Sequence, residues 1–346
     1  MSKVAPDLSS VTTVGLDLAK LVFFVHAVDD AGEVILARAV KRRDLLSFFA
    51  SLPSCRVGME ACSSAHHWGR ELAALGHDVR LMPPSYVKPY VKRQRNDAAD
   101  AAAICEAVTR RSMRFVTLRT IDNQAMLMRH KVRDTLVRPR TQILNCLRGH
   151  LAEIGVIAAQ GPRKARALAG LLRQGNPGVP PEVTNALMPL VTQLDYLEEE
   201  IDRADAAITG LAKGDPVSTA LMSIPGIGPV TASAIAASVG DPSAFTGPKQ
   251  FAAFLGLVPR QNSSGGKARL GRISKMGNAY LRKLLVVGAY SILYYCKRHS
   301  DPLRSWAARL LETKPFKLVA VAIANKLARI VFAVMKTGSV YRTAQA

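Results

Sequence analysis

The feature that most constrains this chain is the change of hydrophobic period along its first hundred or so residues. Residues 12 to 40 hold three β-type runs, TTVGLD, LVFFVHAV and EVILARAV, with an Asp-Asp-Ala-Gly turn between the second and third. An antiparallel meander is predicted. Helical and strand patterns then alternate: a helix near Arg43 to Ser51, strand RVGME, a helix near Ala65 to Leu75, strand DVRLMP, and a helix starting near Asp97.

Three antiparallel strands followed by αβαβα is the ribonuclease-H-like order, so the expected fold class is α/β plus α. The first domain is expected over residues 10–115. A basic helical region with a linker and coiled coil should fill 116–213, and a mainly helical domain 214–346.

Lys and Arg number 47 against 26 Asp and Glu, a net charge of +21. Such an excess favours a polyanionic partner, nucleic acid first, over a small neutral ligand. Among the aliphatic runs, Leu285 to Leu293 is short and Leu318 to Met335 is interrupted by Asn325, Lys326 and Arg329, so no membrane span is expected. The N-terminus, Met-Ser-Lys-Val-Ala-Pro-Asp, has no apolar core of signal-peptide type, which points to an intracellular, cytoplasmic protein. Cys55, Cys62, Cys105, Cys146 and Cys296 contain no Cys-x-x-Cys pair, so neither a disulfide framework nor a zinc ribbon is indicated.

Four carboxylates stand where strands end or a helix begins. Asp17 closes VGLD and Glu60 closes VGME, the carboxyl ends of two strands that can be neighbours. Asp97 and Asp100 are spaced i, i+3 in RNDAADAAAI and so share a helix face. Taken singly, each acid also fits a turn or cap, and Asp97 suits an N-cap position. If the four converge, unit charges about 4 Å apart repel by about 4 kcal/mol at an effective dielectric of 20 unless cations sit among them. Magnesium (Mg2+) suits such hard oxygen donors, and two ions can activate a nucleophile and stabilise the leaving oxygen of a phosphodiester.

From about Arg110 to Leu172 the chain is helical in tendency and rich in basic residues, including Arg133, Arg138 and Arg148. These could bind phosphate or form a solvated face. Gln174 to Pro181 carries two glycines and three prolines and reads as a linker. Then Leu187, Leu190, Leu194, Leu197, Ile201, Ala204, Ile208 and Leu211 follow alternating spacings of three and four, an a/d seam. Periodicity alone leaves two partners open: the preceding helix of the same chain, or a second copy.

Beyond Gly214, SIPGIGPVTA places Gly226 and Gly228 between helical runs, as in a helix-hairpin-helix turn whose backbone N–H groups meet phosphate; a plain helix connection is the alternative. GLVPRQNSSGGKARLGRISKMGNAYLRKLL follows, with Arg260, Lys267, Arg269, Arg272, Lys275, Arg282 and Lys283 and no acid between Arg260 and Lys283. Within it Ser263 and Ser264 precede Gly265 and Gly266, backbone flexible enough for close approach to a strand. A serine attacking phosphorus needs cationic donors around the developing charge.

The order GLDLAK, GMEA, RNDAADA, PGIGPVTA, GLVPRQNSSGGK and GRISKMGN resembles the bridge-RNA-guided DEDD-serine transposases of the insertion-sequence family numbered one hundred and ten, the subgroup numbered eleven hundred and eleven above all. The resemblance runs from about Val11 to Leu285. It implies that Asp17, Glu60, Asp97 and Asp100 are the metal-binding acids of a RuvC-like domain. The nucleophile of such proteins precedes a glycine five residues after the proline of GLxP, which falls on Ser264, with Ser263 its neighbour. It also implies a noncoding bridge RNA that pairs with donor and target DNA, a transient phosphoserine link, and a homo-oligomer, dimer or tetramer. In that assembly acids and serine of one site come from different subunits, and the leucine seam would serve as the oligomerisation coil. From the residues alone, a metal-dependent nuclease of Holliday-junction-resolvase type and a non-enzymatic nucleic-acid-binding protein stay open beside this reading.

Overall fold

The first three β runs form as expected: β1 (Thr13–Asp17), β2 (Val22–Val28) and β3 (Val34–Lys41) make an antiparallel meander. In this computed structural model residues 7–92, 96–159, 161–267, 269–298 and 301–342 are described. The chain divides into two units, Met1–Thr120 and Ile121–Ala346.

In the first unit α1 (Leu45–Ala50) leads to β4 (Arg56–Glu60), α2 (Ala65–Ala74) to β5 (Asp78–Met82), and α3 (Pro84–Val87) precedes α4 (Asp97–Val108). The sheet order is β3-β2-β1-β4-β5, with β1, β4 and β5 parallel. Because side chains alternate along a strand, Val14, Leu16, Val57 and Met59 face one way, into a core shared with Leu45, Phe49, Trp68 and Leu72 of α1 and α2. Each such fully buried side chain contributes about 1.5–3 kcal/mol. Gly15, Asp17, Gly58 and Glu60 have the opposite parity. α4 lies on that face, and the glycines are why it can: a Cβ on Gly15 would stand 2.2 Å from the Ala101 carbonyl and 2.4 Å from Cys105 N, and one on Gly58 would stand 2.8 Å from Val108 Cβ.

The second unit is mainly helical. α5 (Ile121–Ala152), α6 (Pro162–Arg173) and α7 (Pro181–Gly214) pack together, then α8 (Pro216–Met222), α9 (Pro229–Val239) and α10 (Pro248–Phe254) lead to a hairpin of β6 (Pro259–Gln261) and β7 (Leu270–Ile273). α11 (Ala279–Tyr295), α12 (Pro302–Thr313) and α13 (Phe316–Thr337) complete it. Two expectations change here. The Gly/Pro segment before Pro181 is a turn between packed helices rather than an interdomain linker: Asn176 Oδ1 accepts from Gly178 N (2.8 Å), and Val179 is buried with Leu168 and Leu187. The leucine seam is covered within the chain, with Leu187, Leu194, Leu197, Ile201 and Ile208 buried while α7 packs on α5 and α6. Only Leu211 of the seam is exposed. The helical-hairpin alternative accounts for the periodicity, since α5 supplies the apolar partner that the heptads require.

Ion pairs between the basic helices and acidic α7 reinforce the hairpin: Arg133 grips Asp205 with two guanidinium nitrogens, Arg166 pairs with Glu198 and Arg173 with Asp195. Part of the charge in 110–172 is therefore spent on folding. By length and composition α13 is apolar enough to cross a membrane, yet half of its most apolar window is buried, with Ile323, Ala324, Leu327 and Val331 in the core of its unit.

Candidate active site

The registers set the acids in place. Leu16 and Met59 are the last paired residues of parallel β1 and β4, so Asp17 and Glu60 are the next residues on adjacent strand ends. Both are half-buried. The Cys62 thiol lies within the influence of both: burial chiefly raises its pKa, and the Glu60 and Asp17 carboxylates push it further. α4 starts with Asn96 as its N-cap, the side chain accepting from Ala99 N at 2.8 Å, so Asp97 is the first helical residue and not the cap. Asp97 and Asp100 share the first turn, where the helix dipole favours negative charge. Asp100 directly precedes Ala101, whose carbonyl abuts Gly15. Helix and strands thus bring three of the four positions to one corner of the sheet, with exposed Asp97 at its rim.

The donor set is all carboxylate oxygen, which suits a hard divalent ion. Among the described residues, however, no three His, Cys, Asp or Glu side chains are gathered closely enough to hold one, and Asp17, Glu60 and Asp100 are each engaged in other interactions. The fold supplies the positions. It does not draw the four side chains into one coordination sphere.

The serine loop caps the β6–β7 hairpin. Ser264 and Lys267 bridge as antiparallel partners, Lys267 N donating to Ser264 O at 3.1 Å, and Gly265 and Gly266 between them have φ of 55° and 75°. Positive φ at both central residues is the type I′ hairpin pattern, which glycine adopts without strain. The two serines differ sharply. Ser263 Oγ accepts from Gln261 Nε2 and from Arg269 N, both at 3.1 Å, and so ties the loop together. Ser264 is exposed at the tip, and its Oγ makes no hydrogen bond among the described residues.

The cations of this region also sort by geometry. Lys267, Arg269, Arg272 and Lys275 are exposed and outside any ion pair among the described residues. Arg260 donates to Ser274 O (3.4 Å), bracing the hairpin, and Arg282 donates to Leu255 O (3.0 Å) and Met276 O (3.2 Å). Lys283 reaches Asp134 of α5, which Arg138 also contacts; the Lys283 ammonium is the main reason the Asp134 carboxyl titrates below its usual range. Lys275 has φ of 55° and, with Ser64 at the start of α2, is one of two non-glycine residues of positive φ among the described residues.

In the PGIGP turn Gly226 has φ of 80° and its Cα faces α11, where a Cβ would lie 2.7 Å from Gly288 O. Glycine is required there for helix packing. Gly228, exposed, precedes α9 without a side-chain cap. Sequence reading missed two features. The shared pattern Gly-x-acid in VGLD and VGME was the available signal for the α4 groove. His130 gave none: it is buried between Ser233 and Tyr280, its pKa lowered to about 4 by burial first and then by Arg133.

Residues 14–156 match the family model of DEDD transposases of IS110 elements, and residues 218–303 match that described as "Transposase IS116/IS110/IS902 family". Over 335 residues, 96% of this chain and 99% of the relative, it is 46% identical to a "Probable family 20 transposase" of Pseudomonas aeruginosa. The chain belongs to the IS110 family of transposases. The transposase is also 40% identical over 337 residues to the "Transposase for insertion sequence element IS1111A" of Coxiella burnetii, covering 97% of this chain and 93% of that one. With the IS1328 transposase of Yersinia enterocolitica it shares 39% over 334 residues, 96% of this chain and 99% of the other. The transposase is accordingly a DNA-cutting and rejoining enzyme, and its DEDD region implies dependence on a divalent metal.

Proposed function

We propose that the transposase is a bridge-RNA-guided recombinase in which Asp17, Glu60, Asp97 and Asp100 of a RuvC-like unit hold Mg2+ and Ser264 is the nucleophile. The observation that carries this reading is the division of labour between the two serines: Ser263 Oγ is committed to the loop, whereas Ser264 projects from a two-glycine turn among free cations. When bound, the metal supplies Lewis-acid stabilisation of charge on the reacting phosphate. In the cutting step Ser264 Oγ loses its proton and bonds to phosphorus, the bridging P–O ester bond breaks, and its oxygen leaves as a strand hydroxyl. Attack by another strand's hydroxyl on the phosphoserine reverses these changes and restores Ser264, so no external energy is needed. Lys267, Arg269, Arg272 and Lys275 neutralise phosphate around the loop, exposed Gly228 at the start of α9 meets the backbone of the DNA, and Gly226 sets the turn that presents it. A noncoding RNA pairs with donor and target, and the protein works as a homo-oligomer.

Denaturing electrophoresis of the protein after incubation with labelled donor DNA and Mg2+ tests the reading. A covalent adduct that is lost in Ser264→Ala supports it. Metal-dependent cleavage with no adduct identifies instead a nuclease that uses water. RNA copurifying with the protein, once sequenced, must include a specific species; its absence removes the guided mechanism.

A further inference from the structure

The base of the β6–β7 hairpin opens onto a groove of about 950 Å³ in the second unit, walled by the hairpin, α12 and α13. Its lining is apolar around Trp306 and Leu318, while Arg272, Lys326, Arg329 and Arg342 contribute charge and, among the described residues, no carboxylate lines it. Four cations facing an acid-free apolar groove call for a ligand with a flat apolar body and a negative charge. Arg329 and Lys326 stand on the α13 wall, Arg329 half-buried and Lys326 exposed, so both cations lie along the groove. The C-terminal segment that brings Arg342 to the rim is tied down by Tyr341 N donating to Ser223 Oγ at 2.8 Å.

We infer that this groove binds one unstacked nucleotide of the DNA strand engaged by the serine loop, the base lying on Trp306 and its phosphate meeting Arg329 and Lys326. The volume is that of an ordinary small-molecule site. Aromatic and apolar side chains stack bases without regard to sequence, while cations follow the backbone. Ile273, which lines the groove, pairs with Pro259, and Ser264 lies five residue steps further along the chain from Pro259. At about 3.3 Å per residue this is roughly 16 Å, the rise of about five stacked nucleotides. The groove therefore takes a base outside the scissile step and fixes how the strand lies across the loop. This rests on the protein's being a DNA transposase and not on Ser264 as nucleophile.

Trp306 is itself the probe, because the chain has only one other tryptophan, Trp68. In a Trp68→Phe protein, a deoxythymidine decamer should quench Trp306 emission, and an abasic deoxyribose-phosphate strand of equal length should not. Equal responses, or none to the decamer, would overturn the inference by showing a phosphate surface or no site. Quenching by a uridine decamer alone would make the groove an RNA site, and emission that changes on concentrating the protein without nucleic acid would make it a contact between copies; either result overturns the inference. Arg329→Met should weaken the thymidine decamer roughly tenfold with an unchanged melting temperature. Ser264→Ala should leave quenching intact, so loss of the covalent adduct and loss of the base site are separate outcomes.

Discussion

Gly15 and Gly58 face each other across parallel β1 and β4, two residues before Asp17 and Glu60, and together form the shelf on which α4 rests. The small residue and the acid in each strand are one device: the glycine admits the helix and the acid then emerges beside its first turn. Gly15→Ala would push a methyl into backbone atoms of Ala101 and Cys105, which have no rotamer with which to yield. A stability loss of about 3 kcal/mol is expected, together with loss of strand cutting. Gly58→Ala meets the Val108 side chain, its Cβ at 2.8 Å and its two methyls at 3.1 Å, so it should cost less, and Val108→Ala, which removes the methyls and keeps the Cβ, should relieve part of that cost. Urea melts of the three variants check this; additive losses in the double variant would show that the two sites are not in contact.

Asp17→Asn and Glu60→Gln keep the shape of the strand ends and remove charge. If these acids hold the metal, each variant should lower the cutting rate by about a thousandfold or more, several kcal/mol of transition-state stabilisation, while DNA binding and melting temperature stay near wild type. A plasmid excision assay beside a gel-shift measurement decides. Asp97→Asn, at the exposed rim, is expected to show a smaller loss.

The two serines should separate experimentally. Ser264→Ala abolishes the protein-DNA adduct without altering the fold, because its hydroxyl supports nothing in the loop. Ser263→Ala removes the acceptor of Gln261 and Arg269, two bonds of about 1 kcal/mol each, so the loop loosens and adduct formation slows but survives. A normal adduct in Ser264→Ala with none in Ser263→Ala would transfer the nucleophile.

His130 should give the second unit an acid-sensitive stability. Ser233 donates its proton to Pro229 O (2.7 Å), so its oxygen accepts from His130 Nε2 (3.1 Å), and Nδ1 accepts from the Tyr280 hydroxyl (3.2 Å). The folded protein thus holds the ring neutral, with a pKa of about 4 against 6.5 ordinarily. Below pH 6.5 the unfolded chain takes up a proton that the folded one refuses. Stability is therefore full above that pH and falls as pH drops toward 4, by up to about 3 kcal/mol. His130→Gln should flatten the difference between melts at pH 8 and pH 5, and a slope as steep as wild type would remove His130 from the account. His66, lowered to about 4 by burial and then by Arg119 and Arg70, acts in the same direction in the first unit.

Much of this molecule was legible from its residues. The three opening strands, β4, β5 and the start of α4 lie where the change of period put them, because burial on one face forces period two in strands and near four in helices. Asp17 and Glu60 could be named for the same reason: they are the polar residues at which an apolar strand ends. The chain alone could not say that β1 and β4 are neighbours in a register that levels the two acids, nor that α4 sits on paired glycines, since these depend on contacts between segments far apart in sequence. The leucine seam shows the limit most directly. Its spacing demanded an apolar partner, and only the packed structure identified that partner as α5 of the same chain. Ser263 and Ser264 are adjacent and chemically identical in the sequence; the hairpin's hydrogen bonds made one of them a strut and left the other exposed at the tip.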